Sequence, residues 1–110
     1  MTDVELRIKS AELMGWDGLA FNGEWWGFNP VSSSIEIVPD YPNDIAAAWE
    51  LVEKMREMEL YPNIENVGIH GALWNVWLML PGNMSEDIVS QDENVKRAIT
   101  MAFIVAIEPE

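Results

Sequence analysis

Apolar and polar positions along the chain change period several times, and each change marks an element. Val4, Ile8 and Ala11 recur at helical spacing from about Asp3 to Met14. Thr2 and Glu5 make a T-x-x-E capping box in front of them, and Gly15 supplies a stop. Two aromatic-rich runs follow, Trp16 to Phe21 and Glu24 to Phe28, joined by Asn22-Gly23. Both turn positions tolerate positive φ, so the spacing predicts a hairpin. Pro30 to Ser34 reads as loop, with Ile35-Glu36-Ile37 a candidate short extra strand.

The clearest helical stripe is Ile45, Ala48, Trp49, Val52 and Met55, preceded by a stiff Pro39-Asp40-Tyr41-Pro42 turn. Asn43 is the expected cap and Asp44 suits the positive end of the macrodipole. On this pattern Trp49 belongs to the core. A second hairpin is expected from Ile64 to Ile69 and Leu73 to Leu80, turning near His70-Gly71. Ser90 and Glu93 form another capping box before a last helix with Val95, Ile99, Ala102, Phe103 and Ala106.

In Leu73 to Leu80 the residues Trp74, Val76, Leu78 and Leu80 alternate with Leu73, Trp77 and Met79, and Asn75 is the lone polar side chain. A strand apolar on both faces needs cover on both. The cover is either two helical layers or one layer and a partner subunit, and three helices favour the first. The expected fold is therefore α+β, a single-domain α/β/α sandwich over residues 1–110 in the order α-ββ-α-ββ-α. Its four-stranded, mainly antiparallel sheet would carry helices on both faces. The two ββα halves, 16–58 and 64–107, suggest an internal pseudo-repeat.

Composition narrows the function classes. Six basic against 19 acidic side chains give a net charge of −13, shared evenly between the two halves of the chain. Such a field disfavours direct nucleic-acid binding and anionic membranes. No cysteine is present, which removes thiolate chemistry and zinc ribbons. No apolar run reaches the roughly 18 residues of a membrane span, and the first residues lack a secretory pattern, so a cytoplasmic location is expected.

Candidate chemistry is sparse. His70 is the single histidine and reads as an exposed turn residue, not as a catalytic or ligating one. Glu86-Asp87 and Asp92-Glu93 flank the start of the last helix, where acids suit the dipole, and read as solvated carboxylates and not as a metal site. Neither phosphate-binding glycine motif occurs. No catalytic, cofactor-binding or metal residue is therefore assigned, and an enzyme is not expected. Adjacent in a strand, Trp25 and Trp26 must point to opposite faces, leaving one available as an interface anchor. Glu50, Glu53 and Glu57 place negative charge along one helix face.

Met14-Gly15-Trp16, the Gly27-Phe28-Asn29-Pro30 end of the first hairpin, the stretch from Pro39 to Met55, Trp74 with Trp77, and Ala98-Ile99 together resemble the small phage and prophage proteins of the phage ABA-sandwich domain family. The resemblance spans nearly the whole chain and is most specific from Pro39 to Met55. It implies an α/β/α sandwich and a phage origin, and brings no activity or site residues.

With that implication, the expected function is a non-enzymatic phage accessory protein that binds a basic host protein through Trp25 or Trp26 and the acidic residues Glu50, Glu53 and Glu57. An inhibitor of a nucleic-acid-handling defence or replication enzyme would use the same field. Two other classes stay open. One is a small-ligand binder stacking a nucleotide or sugar on Trp25 or Trp26. The other is a self-assembling subunit whose doubly apolar strand forms a homodimer contact.

Overall fold

The computed structural model describes residues 1–67, 71, 73–79 and 88–107, and His70, Glu86 and Asp87 lie outside them. Helix α1 (Asp3–Leu13) begins at the expected capping box: Thr2 Oγ1 accepts from the Glu5 amide at 3.1 Å, and Glu5 Oε1 accepts from the Thr2 amide at 3.1 Å. It ends where Gly15 takes φ +95°, a conformation that costs glycine little. Strands β1 (Asp17–Phe21), β2 (Trp25–Asn29) and β3 (Ser34–Ile37) form one antiparallel meander. After helix α2 (Ile45–Glu57), strands β4 (Tyr61–Val67), β5 (Leu73–Met79) and β6 (Ile88–Asp92) form a second, and helix α3 (Val95–Ile107) follows.

The fold is thus α+β, but its strands make two three-stranded antiparallel sheets and not one four-stranded sheet. The difference comes from two edge strands. β3 pairs with β2 over Ser34–Ile37, and β6 pairs with β5 through residues that the sequence assigned to a helix cap. Ser90 lies in β6, where its hydroxyl donates to the Ala98 carbonyl at 2.5 Å. The cap of α3 is Asn94, whose Oδ1 accepts from the Lys96 amide at 2.9 Å. Likewise Asp44 and not Asn43 caps α2, accepting from the Ala46 amide at 3.0 Å. Asn43 instead bonds back to the Asp40 carboxylate.

The core forms around α3. Ala98, Ile99, Ala102, Phe103 and Ile104 are buried there against Leu6 and Ala11 of α1, Leu51 and Met55 of α2, and Val76 and Leu78 of β5. Helices α2 and α3 pack on the same face of the second sheet, the face of Val76, while Tyr61, Asn63 and Glu65 on the opposite face of β4 are exposed. Among the described elements, helical cover of this sheet is on one side, not both. The polar Asn75 is buried on the far side, where its Oδ1 accepts from Gln91 Nε2 at 2.8 Å. Pro62 is tolerated in β4 because that strand is a sheet edge.

Trp49 is the clearest departure from the apolar stripe. The buried face of α2 is Ala47, Ala48, Leu51, Val52 and Met55, and Trp49 stands at its flank, 48% exposed. Its ring borders a groove of about 290 Å³ with Val52, Arg56, Tyr61, Pro62 and Ile64. Ile45 is displaced from the core in the same way.

The first sheet is joined to the helices through Arg7. Its guanidinium donates to the Val38 carbonyl from Nε at 3.2 Å and from Nη2 at 2.5 Å, and pairs with Glu24 at 3.0 Å. At the other end of the chain, Arg97 pairs with Asp3 and with Asp92, the latter at 3.3 Å, and so joins α3 to α1 and β6. Replacing Arg7 by Met keeps the apolar stem and leaves the buried Val38 carbonyl short of its donor. Urea unfolding of Arg7→Met should show a loss of about 1–3 kcal/mol. Ser10 gives the opposite sign. It is fully buried in α1 with an unpartnered hydroxyl, so Ser10→Ala should raise the urea midpoint, by about 1 kcal/mol in stability.

Candidate functional site

Two features of the surface stand out, and both border β3. The first is an uncovered sheet face. Trp26 and Phe28 of β2 lie directly opposite Ile37 and Ile35 of β3, so all four point the same way. They are 38%, 43%, 50% and 73% exposed respectively, and Ala20 on β1 continues the face. Trp25 points to the other side, half-buried against the core, with its ring 5.5 Å from that of Phe21. The expected division of the Trp25–Trp26 pair therefore holds, and Trp26 is the exposed member.

Gly27 explains why the sheet turns its apolar face outward. Its own side of β2 is covered closely by Trp16 and Leu19. A Cβ there would sit 2.6 Å from Leu19 and 3.2 Å from the Trp16 ring. That side is taken up by the chain itself, and the side of Trp26 is left to solvent.

The second feature is a cleft of about 490 Å³ between β3 and α2. Glu50, Glu53 and Glu57 line it from the helix, and Glu36 lines it from the strand. Trp16, Tyr41, Met14 and Val31 supply its apolar and aromatic wall. The three glutamates singled out from the sequence thus share one site, and Glu36 joins them. Glu36 carried no signal in the sequence, because only the formation of β3 opposite α2 brings it there. Ile37 belongs to both features, since it faces Trp26 across the ladder and also borders the cleft.

The carboxylates differ in electrostatic character. Glu36 accepts from the hydroxyls of Ser32 and Ser34, the second at 2.9 Å, and from Asn29 at 3.5 Å. These donors hold it below its ordinary value of 4.5 and keep it ionised. Glu50 is pushed the other way, by burial first and then by the charges of Asp44 and Glu53. Lys54 is the cation of the cleft, and it stands 3.9 Å from Glu57. Beneath these groups Tyr41 is fully buried with its hydroxyl unpartnered. The Trp16 indole approaches that hydroxyl without meeting hydrogen-bond geometry. Burial, then the charge of Glu50, pushes the phenol well above its ordinary value, so it remains a neutral hydroxyl.

Among the described residues no group of three or more carboxylates or imidazoles stands close enough to hold a metal ion. Among the cations, Arg7, Lys54 and Arg97 each face a carboxylate on a different part of the described surface. No helix of the described residues is long and apolar enough to cross a membrane.

The strain in the cleft has a measurable sign. Between its ordinary value and its raised folded value, Glu50 binds more proton in the folded chain than in the unfolded one. Its contribution to stability therefore falls as pH rises through that window. Glu50→Gln should melt higher than the parent at neutral pH. The advantage should fade as pH falls toward 4.5 and vanish below it. Thermal melts of the pair across pH would read the difference.

No protein-family model, curated protein or solved structure matches the chain, and nothing in those comparisons links it to phage families.

Proposed function

We propose that the protein works by binding another protein, a basic one, and that the Trp26 face of the first sheet is the contact surface. The observation that carries this reading is the pair of exposed cross-strand contacts, Trp26 with Ile37 and Phe28 with Ile35. Contiguous apolar surface of this kind on a small domain marks an interaction site, and a tryptophan in it is a common anchor. Charge selects the partner. A second copy of the chain would bring a further −13 against the first, whereas a basic protein would meet Glu36, Glu50, Glu53 and Glu57 just beyond Ile37. An accessory role in a phage, as the resemblance implies, suits such a binding protein. A nucleotide or sugar stacked on Trp26 is the less favoured reading, because the face is open and lacks polar groups to orient a small ligand.

Selection of a random-sequence peptide library on the purified protein tests the proposal. Enriched peptides should combine Lys or Arg with apolar residues. They should lose most of their affinity in high salt and most of it on the variant Ile35→Ser, which alters an exposed side chain and leaves the fold alone. Peptides without basic residues, peptides indifferent to Ile35→Ser, or a dimer of the parent protein that Ile35→Ser dissolves would each count decisively against it.

A further inference from the structure

The outer edge of β3 is built differently from the other three sheet edges. Strand β1 has an irregular register between Asp17 and Ala20, β4 carries Pro62, and β6 meets β5 across a register shift at Val76 and Trp77. Devices of this kind discourage an edge from accepting a further strand. β3 has neither proline nor bulge, and pairs with β2 in unbroken register from Ser34 to Ile37. The Val38 amide donates to the Trp25 carbonyl at 2.9 Å, so Val38 is bonded toward β2. Hydrogen bonding alternates along an antiparallel ladder, and Glu36 and Ser34 are therefore bonded inward as well. Ile35 and Ile37 turn their backbone N–H and C=O groups to the outer edge, where no hydrogen bond of the described residues reaches them.

We propose that this edge accepts an extended segment of the partner protein as a fourth strand of the first sheet, a segment in which apolar residues alternate with lysine or arginine. The proposal rests on the reading of the protein as a binder of basic partners, and names the form in which the partner is held. Main-chain hydrogen bonds to Ile35 and Ile37 hold the segment, and the side chains on its two faces select it. A strand beside β3 lays alternate residues next to Ile35 and Ile37, where apolar side chains extend the exposed Trp26 face. The residues between them fall on the other face, beside Glu36, whose carboxylate is held by Ser32, Ser34 and Asn29. A basic side chain directly across from Glu36 completes an opposite-charge pair. Glu36 and Ile37 border the cleft of about 490 Å³, so α2 does not close this flank of the strand. A second copy of the chain fits the edge poorly. The antiparallel register that uses the free groups of both isoleucines pairs Ile35 with Ile37 of the copy. It also sets Glu36 directly opposite Glu36, a like-charge pair between two chains of net charge −13.

Amide hydrogen exchange read by NMR, with the synthetic peptide acetyl-Thr-Lys-Ile-Arg-Ile-Lys-Thr-amide as probe, tests the proposal on the intact protein. In the free protein the Ile35 and Ile37 amides should exchange about tenfold faster than the Glu36 amide, which is bonded to β2. Saturating peptide should slow Ile35 and Ile37 about tenfold and leave Glu36 as it was. Single N-methylation along the peptide should show a period of two residues. A methyl on an amide that faces β3 should weaken binding about tenfold, and one on the alternate amides less than about twofold. These changes are made in the peptide, so no variant has to fold. A peptide with Glu in place of Lys and Arg should bind about tenfold more weakly or worse, and one of the same composition with its isoleucines adjacent should also bind more weakly. Glu36→Gln should weaken the parent peptide about threefold.

N-methylation tolerated alike at every position overturns the proposal, as do Ile35 and Ile37 amides that the peptide does not slow. So do the absence of binding at millimolar peptide, equal binding of the peptide with adjacent isoleucines, and an affinity untouched by Glu36→Gln. Protection of Ile35 and Ile37 that rises with protein concentration alone would put a second copy at the edge and overturn it too. In any of those cases, library peptides that still need basic residues and Ile35 would leave the broader binding role standing, carried by side chains on the Trp26 face and not by the edge. Equal binding of the glutamate peptide would overturn the basic-partner reading as well.

Discussion

The need to bury α3 arranges most of this molecule. From Met101 to Ile107 the helix is continuously apolar, and Ala98, Ile99, Ala102, Phe103 and Ile104 are buried around much of its circumference. A helix that is apolar on several sides has to be surrounded. Helices α1 and α2 cover it laterally, and β5 and β6 cover it from the sheet. The second sheet therefore has its Val76 face occupied. The first sheet does not take part in that enclosure to the same extent. It is attached at its margin, by Arg7 reaching the Val38 carbonyl and by Trp16, Val38 and Tyr41 entering the core. Its outer face is left without a helix.

That division explains why the candidate site lies where it does. β3 is an edge strand, and one side of it looks toward the polar face of α2. The cleft exists because α2 presents Glu50, Glu53 and Glu57 away from its buried stripe, in the direction the strand occupies. Arg7, through Val38, fixes the chain directly after β3, and Tyr41 follows three residues later as part of the core. The position of the cleft wall thus depends on the same contacts that hold the first sheet to the helices.

Local signals made much of this legible in the sequence. The Thr2–Glu5 capping box, the Gly15 stop, the Asn22-Gly23 hairpin and three helices follow from side-chain chemistry within a few residues, and the α+β class follows from them. What was not legible depends on pairing at a distance. β6 is short and polar, and Ser90 followed by Glu93 resembles a cap equally well, so only its ladder to Trp74–Trp77 marks it as a strand. One four-stranded sheet was expected because β3 and β6, each an outer strand, are what complete two separate meanders. Trp49 fits the helical stripe by spacing, yet a stripe of this width leaves its flank outside, and a large ring can rest there over an edge strand. Of the site, the acidic face of α2 and the division of Trp25 from Trp26 were readable. Glu36 and Tyr41 were not, because neither is near the α2 glutamates in a way the sequence records.

Departures from a maximally stable arrangement are not spread evenly over this chain. The Trp26 face exposes apolar side chains, Glu50 keeps a carboxylate where burial and its neighbours oppose ionisation, and Tyr41 buries a hydroxyl without a partner. Each opposes folding, and all three lie around β3. Ser10 and Trp77 also bury unpartnered polar atoms, and neither borders the groove at Trp49 or the cleft between β3 and α2. Isolated imperfections of that kind need no functional reason. Imperfections of different physical kinds gathered around one strand are what supports the proposed binding reading. On the proposed reading, an apolar surface flanked by basic groups would cover the sheet face and offset the charge of the neighbouring carboxylates together.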